Sequence, residues 1–286
     1  MKTIATVLSF LSLLLSISLG VTAQNTPTVP VIDGIANKTT ITEKKPLSYA
    51  WVRESDIAWS RRVWRVIDTR EKMNQPFYFP EVAHNNWKNL ATVLLDALQE
   101  GKLTAYDASS PTDEFIVPLS YSDPMKRLQR KDSMHLQRSK PPYEYYDTLI
   151  TKTFNAGDVK RFRIKEDWFF DKQRSVMEVR IIGICPVRDN IDDKGNIRGN
   201  DPLFWIYYPE ARPILAKAEV FNLKNGAERR SYDDIFLKRL FASYVYKEEN
   251  VFDRKITEYS QGIDAILESD RIKRELIDFE EELWQY

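Results

Sequence analysis

The chain has 286 residues with 42 basic and 42 acidic side chains. That balance excludes a nucleic-acid binder built on a strongly basic face. The single cysteine, Cys185, rules out an intramolecular disulfide, and no stretch beyond the first two dozen residues is apolar enough to span a bilayer.

Residues 1–23 have the form of a secretory signal peptide. One lysine, Lys2, precedes an apolar run from Ile4 to Leu19, and Val21-Thr22-Ala23 supplies small residues before a cleavage point between Ala23 and Gln24. The run falls short of the roughly 20 residues of a spanning helix. No cysteine lies near Gln24, so the exported chain is not itself a lipoprotein, and any membrane association runs through a partner. Cys185, inside the apolar run Val179–Val187, is expected to be a small buried hydrophobe.

Residues 24–48 are polar, dotted with proline and aperiodic, and read as an extended N-terminal arm. Residues 49–286 read as a single α+β domain. From Ser55 to Asn74 a helical wheel gathers Ile57, Trp59, Val63, Trp64, Val66, Ile67 and Met73 in one sector, with Arg61, Arg62 and Arg65 opposite. The pattern predicts an amphipathic helix, stopped by Asn74-Gln75-Pro76. Phe77-Tyr78-Phe79 then reads as a short strand or an aromatic anchor. Asn85-Asn86 opens a second predicted helix carrying Trp87, Leu90, Leu94, Leu95 and Leu98, closed by Gly101. Leu103–Tyr106 and Glu114–Leu119 suit short strands, and Asp123-Pro124 a basic helix reaching Arg130.

Asp132-Ser133-Met134 and Asp147-Thr148-Leu149 fit a short pattern that some Gram-negative bacteria O-glycosylate. Lys160–Val187 alternates polar with β-branched and aromatic residues, which predicts paired strands. Residues 188–202 read as a polar turn region, followed by a strand in Leu203–Pro209. Ser231 to Asp234 has capping-box spacing, with a helix expected to continue through Leu237, Leu240, Phe241, Tyr244 and Val245. A charged helical region occupies 253–286. The predicted architecture is α+β: a central antiparallel-rich β region flanked by amphipathic helices, with the extended arm in front.

Catalytic motifs are missing from the sequence. His84 and His135 are too isolated for a zinc signature, and no P-loop, GxGxxG or GxSxG is present. Asn190–Asn196 resembles the start of a calcium loop with Gly195 at position six. Lys194 in a ligand position and Asp201 at position twelve oppose it. No catalytic residue, metal or cofactor is expected.

Trp59–Pro80 (WSRRVWRVIDTREKMNQPFYFP) resembles the signature of the gliding motility protein GldN, called PorN in non-gliding species. Lys165–Lys172 with the following Arg180–Val187 run, Ser231–Phe236 and Phe279–Trp284 agree with it. The resemblance implies a non-enzymatic periplasmic component of the type IX secretion system at the inner face of the outer membrane. Its implied partners are a GldK/PorK-like outer-membrane lipoprotein, the periplasmic part of a GldL–GldM (PorM-like) motor, and neighbouring copies in a ring. Closed rings need head-to-tail contacts, and such interfaces favour Trp, Tyr and Arg anchors. Tyr49, Trp51 and Arg53 beside the arm, and Arg61, Arg62 and Arg65, are therefore the candidate interface residues. Two other readings remain open on the residues alone. A secreted carboxylate-based hydrolase would need a deep acidic pocket, and a periplasmic cargo-binding chaperone would need transient contact with unfolded substrates.

Overall fold

Ile57–Asp68 is rich in β-branched and aromatic residues, and it forms a twelve-residue strand, β1, not the helix its wheel predicts. All five residues from Val63 to Ile67 are buried. A strand covered on both faces shows an apolar run without period-two alternation, and that run fits a helical wheel by chance. The β-branched content was the better guide.

The computed structural model describes residues 40–84, 86–109, 113–120, 122, 130–141, 145–152, 156–191, 197–222, 225 and 227–282. The chain divides into two units after Thr39, and the first lies outside the described residues; Thr40–Tyr286 is one compact unit. The signal-peptide reading, the first part of the arm, the basic helix before Arg130, the calcium-loop residues 192–196 and Leu283–Trp284 fall outside them too.

After β1, a 3-10 turn at Lys72–Asn74 runs into the short helix α1, Gln75–Tyr78. Pro76 sits in its first turn, where a missing N–H costs nothing, so this proline starts a helix instead of stopping one. Phe77 is an aromatic anchor, 1% exposed against Phe162, Tyr232 and Phe236, and the strand reading of 77–79 falls away. Helix α2, Leu90–Gln99, begins later than expected. Its cap is Asn89, which accepts the Thr92 N–H at 2.8 Å, and Trp87 stays outside it. Leu90, Leu94 and Leu98 are buried as expected. Gly101, with φ +68°, closes the helix: its N–H donates to Leu98 O and that of Lys102 to Ala97 O, the paired bonds of a Schellman ending.

Short strands β2 (Ala105–Tyr106) and β3 (Pro118–Leu119) follow. Strands β4 (Arg130–Gln137) and β5 (Tyr145–Lys152) form a separate two-stranded sheet, whose register sets Ser133 opposite Leu149. The long hairpin of β6 (Val159–Asp171) and β7 (Val176–Ile191) matches the predicted paired strands. Residues 188–191 and β8 (Ile197–Pro202) extend that sheet, so the predicted polar turn region is largely strand. Then come β9 (Trp205–Tyr207), helix α3 (Tyr208–Leu215), β10 (Glu219–Val220), β11 (Arg230–Ser231) and helix α4 (Tyr232–Leu237).

The capping box of α4 is present, with Ser231 and Asp234 bonded reciprocally. The helix stops at Leu237, however, and Arg239 turns the chain with φ +52°. Tyr244–Glu248 becomes edge strand β12 instead of continuing the helix, because its aromatic and β-branched residues pair with β1. The C-terminal region is two helices, α5 (Ile256–Tyr259) and α6 (Ile263–Glu282), separated at Gly262 with φ +61°.

The eight-stranded antiparallel sheet runs β12-β1-β6-β7-β9-β2-β3, with β8 also on β7. One face is covered by α1 to α4 through Ile67, Phe162, Ile164, Ile184 and Ile206. Val63, Val245, Ile256, Ile272 and Leu276 join α5 and α6 to the β12 end. The fold is α+β, as the residue patterns indicate.

Candidate partner interface

The segment leading into β1 is strapped onto the body. Ile41 is buried, and Lys44 pairs with Asp234 of α4. Arg212, 6% exposed on α3, donates to the Leu47 carbonyl and holds Asp233 at 3.0 Å. The Tyr49 ring lies 4.0 Å from that guanidinium and 5.2 Å from Arg180, which also donates to the Ala50 carbonyl. Burial raises the Tyr49 pKa, partly offset by these two cations, so the ring stays neutral. Burial is the largest single influence on Arg212 and opposes its charge, but the hydrogen bond to Asp233 together with the charges of Tyr49 and Asp233 outweighs it, leaving its pKa raised.

Beyond this strap, Trp51 projects into solvent. It is 77% exposed, with the Arg53 guanidinium 5.3 Å from its ring. Of the three residues expected beside the arm, Tyr49 is therefore an internal anchor, while Trp51 and Arg53 form an exposed aromatic–cation pair.

The three strand arginines do not share a face. Arg61 and Arg65 point to one side of β1 and Arg62 to the other, because alternate residues of a strand do. The outward arginine face of the wheel is thus replaced by internal commitments. Arg61 pairs with Glu248 and Glu275, tying β12 and α6 to β1. Arg62 makes two bonds to Asp167, at 2.6 and 2.8 Å, which raise its pKa against the cost of burial. Arg65 is 5% exposed, donates to Ser243 Oγ at 2.9 Å, and has its pKa lowered by that burial.

Opposite the helix-covered face lies a smaller cluster of Trp64, Val66, Cys185, Val187, Trp205 and Tyr246. Lys247 stands 4.4 Å from the Trp64 ring and Lys165 5.6 Å, and both are almost fully buried. Asp113 joins them: its carbonyl accepts from Lys165 at 2.9 Å, its carboxylate accepts the Trp205 N–H at 3.2 Å, and Lys247 is 3.6 Å away. Burial, with Arg62 nearby, lowers the Lys165 pKa. Gly183 makes room here, since a Cβ would meet Phe115 at 2.7 Å. Burial pushes the Cys185 thiol up to about 12, so it is the inert hydrophobe expected.

His84 Nδ1 lies 3.1 Å from Val82 O, while His135 falls on β4. Among the described residues no group of His, Cys, Asp and Glu is placed to hold a metal, and no helix is long and apolar enough to cross a membrane. A groove of about 560 Å³ is lined by Phe79, Pro80, Val220 and Phe221, with Lys72 and Arg230 among its polar walls.

A family model described as gliding motility associated protein GldN matches residues 52–285. The chain belongs to the GldN family. Membership places it in the machinery of gliding motility and type IX secretion, as an envelope component of structural character. Comparison with curated proteins finds no match. The stretches that carry the GldN resemblance converge in space: Trp59–Asp68 lies in β1, Lys165–Asp171 in its neighbour β6, and Arg180–Val187 in β7 beyond that. The GldN signature is thus mostly sheet and its packing. The strap formed by Arg180, Arg212 and Asp233 was not singled out in the sequence, because its members lie far apart there and no local spacing joins them.

Proposed function

We propose that this GldN-family chain is a non-enzymatic structural subunit of the type IX secretion and gliding machinery. It assembles in the periplasm, beneath the outer membrane, into a ring with a GldK-like lipoprotein and contacts the GldL–GldM motor. The match of the GldN model over residues 52–285 carries this reading. Residues 1–23 act as the export signal, cleaved between Ala23 and Gln24.

The exposed Trp51–Arg53 pair is the contact we assign first to a partner. The backbone leading into it is tied down at Leu47 by Arg212 and at Ala50 by Arg180, which lowers the conformational entropy that docking costs. A pull-down of the chain from its own envelope is expected to recover the lipoprotein stoichiometrically, and the recovered chain to begin at Gln24. Trp51→Ala is expected to weaken recovery by tenfold or more, in the range of an interface hot spot. Recovery of the chain alone from detergent extracts would refute the assembly reading. Full recovery with the Trp51 variant would move the contact elsewhere.

A further inference from the structure

Helix α6 carries two apolar stripes where a surface helix needs one. Its inner stripe is in use: Ile272 and Leu276 are buried, Ser269 Oγ accepts the Val245 N–H at 3.0 Å, and Phe279 stacks on Trp59 at 4.5 Å. The outer stripe is Ile263, Ile266, Leu267, Asp270, Arg274 and Ile277, whose steps of three and four put them on one face. The four apolar members are 76, 64, 60 and 42% exposed. A row of this size left to water marks an interaction surface.

The charges at its centre specify the occupant. Asp270 and Arg274 are exposed, and neither makes an ion pair among the described residues. Neighbouring Arg271 differs, since it is held within its own helix by Glu268 and Glu275. We propose that the outer face of α6 docks antiparallel on the same face of a second copy of this chain, about a two-fold axis level with residue 272. Asp270 then meets the partner's Arg274, and Arg274 meets the partner's Asp270. On either side of this polar centre, Ile266 and Leu267 pack against the partner's Ile277.

A parallel pair would bring like charges together at both levels, so the charges select the antiparallel arrangement, much as a polar position fixes register in a coiled coil. Arg271 lies near the axis, but its two glutamates neutralise it. The contact is isologous, with the same patch on both copies, and differs in kind from the head-to-tail contacts that close a ring. It stands on the geometry of α6 alone and does not depend on the assembly reading.

Sedimentation of the purified full chain between about 1 and 100 µM, a range that brackets modest affinities, is expected to show a concentration-dependent dimer. Asp270→Arg and Arg274→Asp should each weaken it by about tenfold or more through like-charge contact. The doubly swapped chain, D270R with R274D, should recover it. All these positions are exposed, so the circular dichroism spectrum should not change. A chain that stays monomeric throughout the range overturns the proposal. So does a dimer indifferent to Asp270→Arg, or single-variant losses that the double swap fails to restore.

Discussion

The two faces of the β1–β6–β7 sheet are buried by different means. Toward the helices, the strands present Ile67, Phe162, Ile164 and Ile184, and burial of apolar surface does the work. On the opposite face the cross-strand register aligns Arg62 with Asp167, Trp64 with Lys165, Val66 with Arg163, and Asp68 with Arg161. There the cover is made of ion pairs and of long cationic side chains lying over aromatic rings, including Arg163 at 5.0 Å from Tyr246. Polarity in a sequence is therefore no guide to exposure in these strands. A lysine with its stem on tryptophan and its charge on a carboxylate fills a core position.

Phe162→Ala tests the helix-covered face and should have the largest effect. Removing this ring, 1% exposed, opens a cavity among Phe77 and its neighbours and should lower the unfolding free energy by about 3–5 kcal/mol in denaturant titration. Lys247→Ala tests the charged face. It leaves Asp113 and Asp253 without their shared cation and should cost about 3 kcal/mol, with Lys247→Met losing less because it keeps the contact with Trp64. If Lys247→Ala is neutral, the charged face is only a solvated surface and the contrast fails.

A smaller effect is expected at Asp68. Burial would raise its pKa, but hydrogen bonds from Arg70 and Arg161 hold it at about 2, below the ordinary 3.8. A depressed carboxylate contributes stability that is fully present above its unfolded value and lost as pH falls through its folded one. Native and Asp68→Asn chains should therefore differ by roughly 2 kcal/mol near neutral pH and converge as pH drops from 3.8 toward 2. A gap that persists in acid would assign the difference to packing.

Much of the local structure was legible along the chain. The β6–β7 hairpin, the Ser231 capping box, the Gly101 helix ending and the buried Cys185 each follow from residues near one another, and so does the α+β class. Two of the readings that failed share one reason. The strands at 57–68 and 244–248 depend on neighbours remote in sequence. Val63–Ile67 is flanked by layers on both sides, which erases its period, and Tyr244–Glu248 pairs with a strand some 180 residues earlier. The interface candidates divide the same way. Trp51 and Arg53 are exposed beside the arm, whereas Tyr49, Arg61, Arg62 and Arg65 contact Arg212, Glu248, Asp167 and Ser243 within the chain.

By itself the sequence determined the family, through a run of residues whose order is specific, and it determined caps, turns and the paired strands, because these are fixed by chemistry within a few residues. Which arginines are paired within the chain was decided only by the tertiary structure. A guanidinium is committed by whichever carboxylate the fold brings within about 3 Å, and here those carboxylates arrive from strands and helices far away in the chain.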